Sequence, residues 1–146
     1  MSATNAFETA LLLLYVNNTD HANVGDAAGL QNSLTAGSFY VSLHTADPGE
    51  AGTQTTSEAT YGGYTRMAVA RTAGGWTVAG NNASNTAALT YPLCTSGANT
   101  VTHFGVGSDL TLAGNLFFKG LLTASLAISA GIVPAFAAGD IDVNAD

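Results

Sequence analysis

FYVSLHTADPGEAGTQTTSEATYGGYTRMAVAR, residues Phe39 to Arg71, holds the clearest strand and the clearest turn in the chain. In Phe39-Tyr40-Val41-Ser42-Leu43-His44-Thr45 apolar and polar positions alternate. That period of two predicts a β-strand burying Phe39, Val41 and Leu43 and turning Tyr40, Ser42 and His44 the other way. Asp47-Pro48-Gly49 ends it, because proline presets the φ of a turn's second position and glycine accepts the positive φ that can follow. A polar loop runs on to Thr60. After Gly62-Gly63 a second strand is predicted over Tyr64 to Ala70, with Thr65, Met67 and Val69 on one face and Tyr64 and Arg66 on the other.

Upstream, Asn5-Ala6-Phe7-Glu8 resembles a capping box opening a helix that ends at Asn17-Asn18. Phe7, Leu11, Leu14 and Tyr15 share one face of that helix, which is expected to lie on the β-core or on a neighbouring subunit. Its apolar run, Ala10 to Val16, is far shorter than the ~20 residues of a membrane span. With Glu8 before it and no preceding cation, it does not match a secretory leader. From Thr19 to Ser38 glycines break any long element, and an irregular arm is expected.

Downstream, short strands are predicted at Trp76-Thr77-Val78, Ala87 to Cys94, Val101 to Val106, and Leu116 to Leu122, with terminal pieces around Leu126/Ile128, Ile132/Val133 and Ile141/Val143. Pro92 places its strand at an edge or a bulge. Leu116 to Leu122 is apolar on both faces, so it is expected either between two layers or under a partner, with Lys119 in need of water or a carboxylate. About eight short strands with frequent turns predict an all-β, antiparallel two-sheet sandwich carrying one N-terminal amphipathic helix. Residues 1–38 form helix and arm, residues 39–146 the sandwich core, in one domain overall.

Composition narrows the function. Ala, Gly, Thr, Asn and Ser make up 83 of the 146 residues, and only 9% are charged, against roughly 25% in an average soluble domain. A surface of small neutral side chains loses little entropy when covered, which suits a protein packed against neighbours. Three basic residues against ten acidic ones give a net charge of −7, which speaks against a nucleic-acid groove. Cys94 is the single cysteine and is expected to be a small buried group.

No catalytic, cofactor or metal residues are assigned. His21, His44 and His103 are scattered without ligand spacing, and neither a Gly-x-Ser-x-Gly elbow nor a phosphate-cradling loop is present. Arg66 and Arg71 stand out in a chain with so few cations. Each suits a clamp on a carboxylate, either Glu58 or Asp47 in the nearby loop or an acidic group on a partner. For Arg66 the pin to its own loop is the preferred reading.

Leu43-His44-Thr45-Ala46-Asp47-Pro48-Gly49, then Glu58, then Tyr61-Gly62-Gly63-Tyr64-Thr65-Arg66 with a closing Arg71, resembles a family of small virion proteins of tailed bacteriophages. Those are jelly-roll cement or decoration proteins of the head, with relatives labelled tail-fibre-like. The resemblance implies a jelly-roll sandwich and assembly rather than catalysis: a non-enzymatic protein, made in the bacterial cytoplasm, that binds the outer capsid surface and ties major capsid protein subunits together. The implied partners are the major capsid protein and further copies of the chain, as dimer or trimer, with no nucleic acid and no membrane. Candidate contact residues are Phe7, Leu11, Leu14, His44, Tyr64, Arg66 and Arg71. The alternative is a tail-fibre or head-fibre module binding host glycan, for which Trp76 and exposed tyrosines would provide stacking platforms.

Overall fold

In the computed structural model, which describes residues 2–145, the alternation of the opening strand stops after Val41. Strand β1 (Ser38–His44) buries every residue from Val41 to His44. It lies inside a four-stranded sheet of order β2-β1-β6-β7, formed with β2 (Met67–Ala70), β6 (Ala98–Gly107) and β7 (Leu116–Ser129). Residues 57–59 pair beside its end through Thr45 N–H to Ser57 O and Ala59 N–H to Leu43 O, both 2.8 Å, and on the second face His44 Nδ1 meets Thr56 O at 2.8 Å. A strand covered on both faces accepts a polar residue when that residue finds hydrogen bonds. Ser42 and His44 meet that condition.

The chain forms two compact units. Among the described residues one comprises 2–38, 69–87 and 138–145, the other 39–68 and 88–137. In the second, β1 pairs antiparallel with β6 from Tyr40↔Gly107 to His44↔His103, and β6 pairs antiparallel with β7. Strands β5 (Leu89–Thr90) and β8 (Ala135–Phe136) form a separate antiparallel ribbon. Tyr91, directly after β5, donates its hydroxyl to Val41 O at 3.1 Å, which ties the ribbon to β1 in the manner of a sandwich. Val41, Leu43, Tyr91, Cys94, Val101, Phe104 and Val106 fill the core of this unit.

The expected all-β class, antiparallel pairing and single N-terminal helix are what the chain adopts. Several boundaries differ. Tyr64 to Arg66 stand outside β2, since Tyr64 N–H closes a turn on Tyr61 O and the Arg66 side chain turns inward. Leu116 to Leu122 and the piece around Leu126/Ile128 are one long strand, β7, at the edge of its sheet rather than between layers. Leu121 is 71% exposed there. Between Val101↔Leu126 and His103↔Leu121, β7 carries more residues than β6, a pronounced bulge opposite Thr102.

The first unit is built on helix α1 (Asn5–Asn17), which packs on β3 (Trp76–Ala79) and β4 (Asn82–Asn85) of a three-stranded sheet completed by β9 (Asp142–Asn144). The helix buries Glu8, Leu12 and Val16, not the expected face of Phe7, Leu11, Leu14 and Tyr15. Phe7 is 49% exposed and Leu11 39%. Its sequence is apolar almost all round, so spacing alone did not phase it. Trp76, fully buried, forms the floor under the helix with Ala83, Ile141 and Val143 in the same core. Asn85 joins β4 to the C-terminal segment, its Oδ1 accepting from Ile141 N–H at 2.9 Å.

Because the helix completes this small core, Leu12→Ala is expected to destabilise the first unit by about 2–5 kcal/mol, the range for a buried leucine truncation. Removal of residues 1–18 should shift the emission of Trp76, the only tryptophan, to the red. Unchanged emission and an unchanged denaturation midpoint in both variants would show that the helix is dispensable to the core.

Candidate functional site

The side chains singled out between Leu43 and Arg71 gather in the second unit around one buried ion pair. Arg66 donates from Nε to Glu58 Oε1 and from Nη2 to Glu58 Oε2, both at 2.7 Å. This is the fork geometry that makes Arg–carboxylate pairs strong and directional. The Arg66 side chain is 2% exposed and that of Glu58 14%. Burial opposes the guanidinium charge, but the Glu58 contact outweighs it and raises the Arg66 pKa. The remaining Nη1 donates to Asp109 O and Leu112 O, both at 2.7 Å. Arg66 therefore holds two loops at once, residues 45–58 through Glu58 and residues 108–115 through their carbonyls.

Gln54, fully buried, makes the second tie between the same loops. Its Nε2 donates to Tyr40 O at 3.2 Å, its Oε1 accepts from Asp109 N–H at 2.9 Å, and its own N–H reaches Ala113 O at 2.9 Å. At the start of the first loop Gly49 N–H bonds Asp47 Oδ1 at 2.8 Å with Gly49 at φ 76°, the turn read from Asp47-Pro48-Gly49.

Tyr64 joins the lock from the other side. Its hydroxyl donates to Glu58 Oε1 and accepts from Leu43 N–H, each at 3.0 Å. Burial raises its pKa far above the ordinary tyrosine value. Tyr64 stacks on Tyr91 at 6.3 Å and meets Tyr61 edge-on at 5.3 Å, so a row of tyrosines lies inside the unit. Burial pushes the pKa of Tyr61 up to about 12.

His44 and Ser42 form a hydrogen-bonded pair, Oγ to Nε2 at 2.8 Å, while His44 Nδ1 faces Thr56 O at 2.8 Å. A carbonyl only accepts, so Nδ1 carries the proton and Nε2 accepts from the Ser42 hydroxyl. The pair has the spacing of a nucleophile and its base, yet both residues are 0% exposed. A Cβ on Gly105 would lie 2.7 Å from His44 Nε2, 2.8 Å from Ser42 Oγ and 2.6 Å from Leu116 Cδ1. Gly105 thus packs directly against the pair, and the third partner is a backbone carbonyl where a triad would have a carboxylate.

The candidate contact residues thus separate. His44, Tyr64 and Arg66 are interior and committed to the fold. Arg71 lies in the first unit, donating from Nε to Tyr15 O at 2.7 Å and from Nη2 to Leu14 O at 3.2 Å. There a cation meets the unpaired carbonyls and negative dipole end of α1. Its Nη1 reaches Ala36 O at 3.2 Å and pins the arm. Phe7 and Leu11 remain exposed, and Leu14 is half-buried. Trp76 is wholly buried and is not a stacking platform for sugar. Lys119 finds the carboxylates it needs, Glu50 at 3.0 Å and Asp47 at 3.1 Å.

Sequence reasoning missed Gln54, Ser42 as a partner of His44, and the exposed Leu110 and Leu112. The signal for Gln54 was its place as the one amide in Gly52-Thr53-Gln54-Thr55-Thr56-Ser57, a run otherwise built of Thr, Ser and Gly. Among the described residues no group of three or more His, Cys, Asp or Glu could hold a metal ion, and no helix is long and apolar enough to cross a membrane.

A family model described as podophage GP4 fiber I protein gp80 matches residues 6–144. No curated protein matches the chain.

Two outcomes test the lock. Glu58→Gln leaves Arg66 buried without its counter-charge and should cost about 3–5 kcal/mol in denaturant unfolding. A loss below about 1 kcal/mol would show that the pair is not the main tie. Burial lowers the His44 pKa below its ordinary value of 6.5. Below about pH 6.5 the unfolded chain therefore binds more protons than the folded one, and this contribution to stability falls with pH until the folded-state pKa is passed. His44→Asn should flatten the slope of stability between about pH 5 and 6.5; an unchanged slope would assign it to other groups.

Proposed function

The chain belongs to the podophage GP4 fiber I protein gp80 family, and from that membership we propose that it is a non-catalytic building block of a fibre-type appendage on the outside of a podophage particle. A structural role in the phage virion follows from the family itself. The fibre assignment rests on the match over residues 6–144. The surface supports it, since large apolar side chains stand exposed in each unit, Phe7, Leu11, Leu30 and Leu34 in the first and Leu93 and Val133 in the second. Repeated copies, as dimer or trimer, would join through such contacts and act together by avidity.

A cement role on the head, tying major capsid subunits, is the second reading, favoured by the likeness of Leu43 to Arg71 to decoration proteins. The residues that carry that likeness, His44, Glu58, Tyr64 and Arg66, all serve the interior of the second unit. They speak for a shared core more than for a shared docking site. Counting copies per purified virion separates the readings, with immunogold labelling to place them. A fibre subunit is expected at low copy number in discrete appendages, a cement protein in hundreds of copies spread over the head.

Attachment in either place is expected to depend on apolar and backbone contacts. Exposed ion pairs are typically worth ~0–1 kcal/mol and weaken in salt, whereas apolar burial contributes about 25 cal/mol per Å² and is not screened. Virions raised to about 1 M salt, where the Debye length is ~3 Å, should keep the protein on pelleting and release it in mild denaturant. Wholesale release by salt alone would transfer the attachment to the acidic surface of this chain.

A further inference from the structure

The hairpin loop between β6 and β7, residues 108–115, combines an exposed apolar tip with a rigid base. Leu110 is 44% exposed and Leu112 67%. Beneath them, Arg66 holds the carbonyls of Asp109 and Leu112, Gln54 holds Asp109 N–H and Ala113 O, and Ser108 Oγ bonds both Asp109 Oδ2 and Asn115 N–H. A hairpin tip facing only water gains nothing from such order, since fixing each residue costs conformational entropy. Here a buried cation and a fully buried amide are both committed to fixing it. Preorganised apolar side chains on a rigid loop are what raise affinity for a partner, because the ordering cost is met in folding and not in binding.

We propose that this tip is a preformed apolar plug that seats in a socket of a different virion protein, and that the rim of the socket is cationic. The choice of occupant comes from charge. The loop tied to the plug, residues 45–58, carries Asp47 and Glu50, and the plug itself Asp109, against the single Lys119 that pairs with both Asp47 and Glu50, with the Glu50 side chain 94% exposed. The chain has three cationic side chains, and all are engaged within it: Arg66 by Glu58, Arg71 by the end of α1, Lys119 by Asp47 and Glu50. A second copy would bring the same acidic rim, no uncommitted Lys or Arg, and a net charge of −7. Like charges facing one another suppress that pairing, and a Lys- or Arg-rimmed socket is favoured.

This inference rests on the reading of the chain as an external virion component, and the experiment separates the two. Purified chain is added back to particles grown without it, and binding is measured by co-sedimentation. The pair Leu110→Ser/Leu112→Ser should bind at least about tenfold more weakly, as expected for losing central apolar anchors, while Leu121→Ser on β7 binds as the unaltered chain does. Raising salt should slow association and leave dissociation nearly unchanged. If the unaltered chain does not bind particles, the external assignment fails and the plug with it. If it binds and the double variant binds equally well, the plug is overturned and the assignment stands. An equal loss with Leu121→Ser would indicate general stickiness, and association indifferent to salt would remove the cationic rim; either overturns the proposal. So would a dimer in sedimentation velocity that the double variant abolishes, since the occupant would then be a second copy. Should the double variant unfold, Leu112→Ser alone carries the same comparison, its side chain being mostly in solvent.

Discussion

The forked contact between Arg66 and Glu58 is the constraint on which the second unit depends. A guanidinium that is almost wholly buried needs a carboxylate in register and carbonyls for its remaining N–H groups. Supplying them fixes where residues 45–58 return and where the β6–β7 turn must sit. The ion pair also accounts for the depth of His44 and Tyr64, because the loop it clamps is the lid over the second face of β1. A hydrophobic substitute of equal volume would give comparable burial without directing two loops to defined positions.

The same division explains what was legible in the amino-acid order. Phe39 to Thr45 reads as a strand because alternation is a local property, and Asp47-Pro48-Gly49 reads as a turn because its chemistry is local too. The all-β class and the single N-terminal helix followed from such local signals. That His44 points into a sealed interior is not local: it depends on a loop rich in Thr, Ser and Gly, a composition that predicts solvent, whose inward anchors include the buried Pro48 and Gln54, Glu58 and the Thr56 carbonyl. The face of α1 was illegible for a different reason. Where leucines fill four successive positions, hydrophobic spacing has no phase, and the sheet beneath selects Leu12 and Val16.

The preferred role of Arg66, a pin to its own loop, is what the structure shows, while Arg71 proves to be a pin as well, in the other unit and on a helix end. In a chain this poor in charge, each cation has a structural appointment. The surface that remains is acidic, small-featured and dotted with leucines. Such a surface is costly to leave bare and cheap to cover, which fits a subunit whose working state is within an assembly.

The bulge in β7 opposite Thr102 bears on how such a chain avoids uncontrolled polymerisation. A long sheet edge with a single lysine and no proline is the kind of template on which strands of other copies stack. By throwing residues 122–125 out of register with β6, the bulge divides the edge into two segments, residues 116–121 and 126–129. A bulge bends an edge strand and increases its local twist, which makes it a poorer template for another chain. The irregularity in the longest strand is in this way a physical obstacle to edge-to-edge pairing.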